Sequence, residues 1–216
     1  MSESDAWVMF QLVEHFNPMT YKTDKKRINQ IITFLNSLKI SSQRFADIMR
    51  RENIPVIQDF NQALTHSSED KIINYEKLEF FGDAVLRLAA SNFIEKKYPQ
   101  MSVGERSELR AQIVSDEWLT KLGGKIGIEK LIIKGPKALG DENSKNTIIG
   151  ESTEALIGAL YKCFNSIQEI NLWLDDIWEE DSEIFIKAPY KFKSKTVLQE
   201  WCQSKGFDLP VYKIIE

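Results

Sequence analysis

Two segments of this 216-residue sequence place carboxylates at regular helical spacing inside apolar surroundings, and they constrain the fold more than any other feature. Acidic residues stand at i, i+3 and i+7 within residues 74–90, and at i and i+3 within residues 147–161. A helix brings positions with these spacings onto one face. The first segment carries Glu76, Glu79 and Asp83, and the second carries Glu151 and Glu154.

The apolar surroundings of these acids indicate what neutralises them. An isolated helical Glu or Asp is usually a solvated surface charge, but a helix that is apolar on nearly every side is normally buried. Burying clustered carboxylates without partners is costly, and the neighbouring cations are few, namely Lys77 and Arg87. We therefore expect both helices to face one pocket and to share divalent cations. Oxygen ligands without His or Cys favour Mg²⁺ or Mn²⁺, ions that promote phosphodiester hydrolysis by activating water and stabilising the leaving oxygen.

Helical periodicity extends through almost the whole chain and predicts an all-α fold. Ser115 is expected to cap one helix, which Gly123 and Gly124 close. Residues 135–146 are expected to form a surface loop, and residues 209–215 a strand. Helices are predicted over residues 5–16, 24–38, 41–49, 74–97, 104–114, 115–123, 147–163, 166–180 and 194–205.

Gly82 and Gly158 interrupt the apolar pattern of the two acidic helices. A glycine inside a helix costs about 1 kcal/mol relative to alanine, so it needs a compensating reason. Close approach of another backbone supplies one, and a tolerated defect is the alternative. Because Phe80 and Phe81 adjoin Gly82, we expect this helix to pack tightly against another, with a dimer axis as one possible place.

The residue composition excludes several classes of protein. With two Cys, two His and no Cys-x-x-Cys, the chain offers neither a disulfide framework nor a tetrahedral zinc site. The P-loop and nucleophile-elbow motifs do not occur. The net charge of −4 argues only weakly against nucleic acid, since a phosphate binder needs a local basic surface. No apolar run is long enough to span a membrane and no signal-peptide pattern begins the chain, so we expect an intracellular, cytoplasmic protein without a membrane partner.

Three motifs resemble the ribonuclease III family. NYEKLEFFGDAVL (74–86) is similar to the signature helix of that family, and ALTHSS (63–68) and TIIGESTEALIGALY (147–161) follow its order and approximate spacing. Residues 194–216 resemble the first helix and first strand of a double-stranded RNA-binding domain. The resemblance divides the chain into an N-terminal helical extension (1–44), an endonuclease domain (45–182), a linker (183–192) and a partial α-β RNA-binding module (193–216).

This resemblance implies a Mg²⁺-dependent homodimeric endoribonuclease, with Mn²⁺ as a substitute ion, that cuts both strands of double-stranded RNA. The expected products carry 5′-phosphate and 3′-hydroxyl ends with a short 3′ overhang. The implied metal ligands are Glu79, Asp83, Glu151 and Glu154, and the implied catalytic residues are Asp83, Glu154 and Glu76. The implied RNA contacts are Thr65, Gln199 and Glu200, and the implied dimer interface contains Phe80 and Gly82. For His66, a structural role and an RNA contact both stay open.

The sequence departs from the family pattern at three places. The family usually has Asp where this chain has Glu151, and the extra methylene leads us to expect altered metal preference or rate rather than loss of function. Val103 replaces a frequent Glu, for which Glu105 is a candidate substitute. The RNA-binding module stops after its first strand, and we expect truncation rather than a repurposed C-terminus.

Two other classes of function compete with the nuclease. A catalytically weak or inactive ribonuclease III-like protein would bind RNA or act as a scaffold, which the Glu151 departure and the incomplete module favour. The argument against this hypothesis is that buried acids without a function would destabilise the fold. A metal-free helical dimerisation module is the third hypothesis, and absence of Mn²⁺ binding would support it.

Overall fold

The computed structural model of the protein describes residues 24–38, 40, 45, 47, 54–136, 138–140, 144–187 and 194–213. This part of the chain is helical, as predicted. The helices are α1 (Lys25–Ser37), α2 (Ile54–Ala63), α3 (Glu76–Lys97), α4 (Val103–Ile113), α5 (Asp116–Ile126), α6 (Lys145–Phe164), α7 (Ile167–Lys187) and α8 (Ser194–Ser204), with a short 3₁₀ helix at Ile128–Leu131. One isolated parallel bridge joins Thr65 and Ile133.

The two acidic segments form α3 and α6, which pack on each other at the centre of the fold. Helix α6 is enclosed because α2, α5 and α7 also pack on it, and its interior-facing residues are almost all apolar. Helices α4 and α7 cover another side of α3. The fully buried Trp178 of α7 donates its indole N–H to the carbonyl oxygen of Ile113 at 2.9 Å, so its one polar atom is satisfied.

Gly82 and Gly158 lie opposite each other where α3 crosses α6. A Cβ atom on Gly82 would overlap the carbonyl oxygen of Glu154, and one on Gly158 would overlap that of Leu78. A Cβ atom on Gly158 would also lie 3.2 Å from the backbone nitrogen of Gly82. The expected close approach is therefore confirmed, but it occurs within one chain. Gly82 is buried against α6 of the same chain, and its place at a dimer interface stays a prediction.

The prediction that α3 is apolar and enclosed on nearly every side holds for only part of its surface. Phe80 is 84% exposed and Leu88 is 52% exposed, and the exposed Ala84 stands between them at helical spacing. Residues four apart on a helix are neighbours on one face. One face of α3 therefore presents an apolar stripe to the outside of this chain.

Helix α1 confirms the predicted helix at 24–38 and shows where it packs. Its N-terminus is capped by Asp24, whose carboxylate accepts a 2.7 Å hydrogen bond from the backbone N–H of Arg27. Its buried face joins the main core and contacts α2. The predicted helix at 5–16 lies outside the described residues, and of the one at 41–49 only Phe45 and Asp47 are described, both in helical conformation.

Two predicted helix ends are wrong. Ser115 caps α5 as expected, but Gly123 and Gly124 lie inside the helix, which ends at Gly127 with φ at +71°. Glycine suits that left-handed conformation because it has no Cβ atom to clash. Helix α7 was expected to end near residue 180 but continues to Lys187, so the first five residues of the predicted linker are helical.

The C-terminal segment agrees with the prediction in its helix only. Helix α8 occupies Ser194–Ser204, but residues 207–213 form no strand, and residues 214–216 are not among those described. A strand requires a neighbouring strand, and none lies beside residues 207–213 in the described part of the chain. Across the described helices, none is both long and apolar enough to cross a membrane.

Candidate active site

Carboxylates from both central helices line a single cavity of about 780 Å³ at the N-terminal part of α3. The acids that line it are Glu76, Glu79 and Asp83 from α3, and Glu151 and Glu154 from α6. The expected common pocket therefore exists. His66, Tyr75 and Phe80 also line it.

The start of α3 presents its acids to this cavity. The side-chain oxygen of Asn74 accepts a 3.0 Å hydrogen bond from the backbone N–H of Glu76, which satisfies one of the free donors at the helix N-terminus. Glu76 and Glu79 lie in the first turn, where the helix dipole favours negative charge. Glu76 is exposed, whereas Glu79 and Asp83 are half-buried.

Burial and then mutual repulsion raise the pKa values of two of these groups. Burial, followed by the charges of Asp83, Glu79 and Asp116, raises the pKa of Glu154 to about 8. Burial and the charges of Glu151 and Glu76 raise the pKa of Glu79 to about 7. Both burial and nearby like charges disfavour the ionised form of a carboxyl group, so the two causes act in the same direction here.

Two other acids of the cavity have partners within the chain. The Arg87 guanidinium lies 2.6 Å from a carboxylate oxygen of Asp83, one turn away on the exposed side of α3. The Tyr75 hydroxyl donates a hydrogen bond to the carboxylate of Glu151. Burial and this hydrogen bond raise the pKa of Tyr75, so the phenol keeps its proton at neutral pH.

The segment before α3 forms one wall of the cavity through His66. Its ring packs edge-to-face on Tyr75, with ring centroids 5.4 Å apart, and its Nδ1 accepts a 3.0 Å hydrogen bond from the backbone N–H of Ser68. Desolvation lowers the pKa of His66. These contacts give His66 a structural role at the cavity wall. Thr65 is only 2% exposed and donates its hydroxyl to the carbonyl oxygen of Asn61, which gives it a structural role, and its contact with RNA stays a prediction.

A second cavity of about 610 Å³ adjoins the first and shares three of its acids, Glu79, Glu151 and Glu154. Asp116, the first residue of α5, lines it and adds to the repulsion that raises the pKa of Glu154. The sequence analysis missed Asp116 and Tyr75. Asp116 follows an ordinary helix cap, and no pattern in the sequence marks its proximity to Glu154.

The acids fit divalent cations in chemistry and charge. All five are oxygen donors, the set that Mg²⁺ and Mn²⁺ prefer, and burial and the neighbouring carboxylates raise the pKa values of Glu79 and Glu154. Among the described residues, no three His, Cys, Asp or Glu side chains already surround one point as ligands. Asp83 is turned to Arg87 and Glu151 to Tyr75, so both are engaged with protein partners.

The other predicted site residues lie away from this cluster or at its edge. Phe80 projects from α3 beside the cavity. Val103 is exposed at the start of α4, and the carboxylate of Glu105 accepts hydrogen bonds from Ser102 in a capping box. Glu105 therefore stabilises the N-terminus of α4, and this contact gives it a structural role. Gln199 and Glu200 are exposed on α8.

Comparisons with known proteins identify the family to which this fold belongs. The Ribonuclease-III-like family model matches residues 58–170. A protein named Ribonuclease 3 from Prochlorococcus marinus is 46% identical over 192 residues, which cover 89% of this chain and 77% of that protein. A protein named Ribonuclease 3 2 from Synechocystis sp. is 39% identical over 166 residues, 76% of this chain and 67% of that protein.

One solved structure supports the same fold. The nuclease domain of ribonuclease III from Campylobacter jejuni, described as flexible in the region involved in its dimer formation, aligns with a TM-score of 0.51 at 24% identity. The alignment covers 69% of this chain and 92% of that one. The chain belongs to the ribonuclease III family. Its activity is that of an endoribonuclease of this type.

Proposed function

We propose that this protein hydrolyses phosphodiester bonds of double-stranded RNA with divalent cations held by Glu79, Asp83, Glu151 and Glu154. The observation that supports this most strongly is the convergence of acids from two helices on one cavity, where the pKa of Glu154 rises to about 8. A carboxyl group in that environment favours either a proton or a cation. A divalent cation would keep it ionised at neutral pH.

Mg²⁺ is the proposed physiological ion, with Mn²⁺ as a substitute, because every candidate ligand is a carboxylate oxygen. Bound there, the ion would activate water and stabilise the leaving oxygen of the scissile phosphodiester. With the ion bound, Glu154 and Asp83 would act as its carboxylate ligands at the scissile phosphodiester, and Glu76 would form the exposed edge of the cavity that they line. The proposed products have 5′-phosphate and 3′-hydroxyl ends and a short 3′ overhang.

Homodimerisation is part of this proposal, because two sites are needed to cut both strands of a duplex. The apolar stripe on α3 that contains Phe80, Ala84 and Leu88 is a suitable contact surface beside the cavity. Phe80, at 84% exposure, leaves a large aromatic side chain in water unless a partner covers it. The duplex is expected to be recognised by its A-form shape rather than by sequence. Gln199 and Glu200 on α8 are proposed RNA contacts.

Cleavage of a labelled RNA duplex in the presence of Mg²⁺ tests the nuclease activity. Wild-type protein should yield short duplex products, and Glu154→Gln should abolish cleavage because it removes a cation ligand without changing side-chain size. Glu180→Gln, on the exposed side of α7, is the matched control and should cleave normally. End-labelling of the products reports the 5′ and 3′ groups. An RNA duplex that stays intact with Mg²⁺ and with Mn²⁺ would refute the proposal.

Sedimentation equilibrium tests the dimer. Phe80→Asp places a charge on the apolar stripe and should convert a dimer to monomers. Leu172→Asp is the matched control, because Leu172 is also an exposed apolar residue (61%) but lies on α7. A monomeric wild-type protein, or a Phe80→Asp variant that stays dimeric, would contradict the assignment of this interface.

A ribonuclease III-like protein with weak or no catalysis is the second candidate function. It is favoured by the engagement of Asp83 with Arg87 and by the lack of a ready-made set of three ligands among the described residues. Duplex binding measured by gel shift, without metal-dependent cleavage, would select this function over the first.

A further inference from the structure

We propose that Tyr75 is a positioning residue whose hydroxyl orients the Glu151 carboxylate for cation binding. This inference rests on the proposed function, since it concerns one of the proposed ligands. Tyr75 is the last residue before α3, whereas Glu151 lies 76 positions later on α6, so their hydrogen bond connects the two acidic helices directly.

The backbone of Tyr75 is fixed on both sides. Its N–H donates to the carbonyl oxygen of Thr65 at 2.9 Å, next to the parallel bridge between Thr65 and Ile133. Its own carbonyl oxygen accepts from the backbone N–H groups of Leu78 at 2.8 Å and Glu79 at 2.9 Å, within the first turn of α3. The position of the phenol is therefore determined by the junction between the preceding segment and the helix.

The ring of Tyr75 is held as firmly as its backbone. Tyr75 is only 3% exposed, and the His66 ring packs against it edge-to-face. His66 is itself held, because the Ser68 hydroxyl oxygen lies 2.7 Å from its Nδ1 and also accepts the N–H of Gly135 at 2.9 Å. A hydroxyl supported in this way presents one donor at one fixed point of the cavity wall.

A fixed donor matters here because Glu151 has a long and mobile side chain. A glutamate has one more rotatable bond than an aspartate, and each additional rotamer must be restricted before a ligand geometry is reached. A hydrogen bond from a neutral donor to a carboxylate is short and strong, and it leaves the second carboxylate oxygen able to bind a cation. Tyr75 thus offsets the extra methylene of Glu151.

Titration calorimetry with Mn²⁺ alone, without RNA, gives the direct test. Tyr75→Phe removes one oxygen atom and keeps the ring, so the fold should persist, and the Kd for Mn²⁺ should rise about tenfold. Tyr98→Phe is the matched control, because Tyr98 also loses one hydrogen bond, to Ser182 at 2.8 Å, but lies outside the cavity. The Kd of the Tyr98→Phe variant for Mn²⁺ should stay within about twofold of the wild-type value.

A second variant separates positioning from general loss of stability. In a Glu151→Asp background the carboxylate is withdrawn by about one C–C bond from the Tyr75 hydroxyl, so adding Tyr75→Phe should change the Kd for Mn²⁺ by less than threefold. In cleavage assays, Tyr75→Phe should lower kcat at limiting Mn²⁺ and leave the KM for duplex RNA unchanged. At high Mn²⁺ the kcat of this variant should return to the wild-type value.

The possible results distinguish this inference from the proposed function. Equal Mn²⁺ affinity of wild type and Tyr75→Phe overturns the positioning role even if RNA is cleaved. The expected tenfold loss together with an intact RNA duplex upholds the positioning role and refutes the nuclease. Absence of Mn²⁺ binding by the wild-type protein overturns the inference, because no cation then requires Glu151 to be positioned.

Discussion

Replacing Glu154 by Gln should stabilise the metal-free protein at pH 8 while destroying its proposed activity. The pKa of Glu154 rises from 4.5 to about 8 on folding, mainly through burial and then through the charge of Asp83. Between those pH values the folded protein binds more protons than the unfolded chain, so stability falls as pH rises through this range. The stability that Glu154 contributes by binding a proton in the folded protein is fully present below about pH 4.5 and is lost as the pH rises through about 8.

The size of this effect follows from the same shift. A pKa change of three to four units corresponds to about 4 to 5 kcal/mol. Glu154 is only half-buried and solvent screens the repulsion, so we expect about half of that, roughly 2 kcal/mol, at pH 8. For a chain of this size, that raises Tm by about 4–8 °C. At pH 5, where folded Glu154 is protonated, the gain should fall below about 0.5 kcal/mol.

Thermal unfolding in EDTA, followed by circular dichroism, measures the difference in Tm between Glu154→Gln and wild type at pH 5 and at pH 8. Glu180→Gln provides the control, because this exposed side chain lies 3.8 Å from Lys125 in a surface pair that contributes little. Adding Mg²⁺ at pH 8 should raise the Tm of wild type more than that of Glu154→Gln. If Glu154→Gln is no more stable than wild type at pH 8 in EDTA, the claim that repulsion and burial strain this carboxyl group is refuted.

Two further substitutions test the surroundings of the site. Gly82→Ala should destabilise the protein by about 2 kcal/mol or more in urea unfolding, because the added Cβ overlaps the Glu154 carbonyl oxygen. Gly124→Ala is the control: its Cβ meets no atom within 4 Å, so it should be neutral or stabilising. Equal effects of the two substitutions on the free energy of unfolding would contradict the packing argument. Arg87→Gln should tighten Mn²⁺ binding about two- to fivefold in calorimetry, because it removes a guanidinium that lies 2.6 Å from the Asp83 carboxylate and competes with the ion. Weaker Mn²⁺ binding would mean that Arg87 orients Asp83 instead.

The shared cavity could be predicted from the sequence because it depends on local periodicity and on a general cost. Helical spacing alone places Glu79 and Asp83 on one face of α3 and Glu151 and Glu154 on one face of α6. Apolar neighbours on both helices then indicate that these faces meet inside the protein, where only shared cations or protons make the charges tolerable. Neither step requires knowledge of the tertiary structure.

Tyr75 and Asp116 could not be found in this way, because each reaches the site only through tertiary packing. Tyr75 looks like an ordinary aromatic core residue in the sequence, and its hydroxyl contacts Glu151 only once α3 and α6 have packed. Asp116 looks like a first-turn helix residue, and its charge reaches Glu154 only because α5 packs on α6. The prediction of burial around α3 failed at Phe80 for a related reason. An apolar pattern shows which residues avoid water, but not whether a face is covered by the same chain or by another.

The packing contact of Gly82 and Gly158 also sets the geometry of the site. The backbone of Glu154, whose carbonyl oxygen faces Gly82, is pressed directly against α3 one residue before Asp83. The distance between the two helices at this point therefore fixes how far the Glu154 carboxyl group stands from Asp83 and Glu79, whose charges raise its pKa. A larger residue at position 82 would move the acids apart and relieve their repulsion, and the same movement would weaken any cation site between them. Core packing and charge strain at this site are thus one structural feature, because the glycine contact that stabilises the helix pair also holds the acids together.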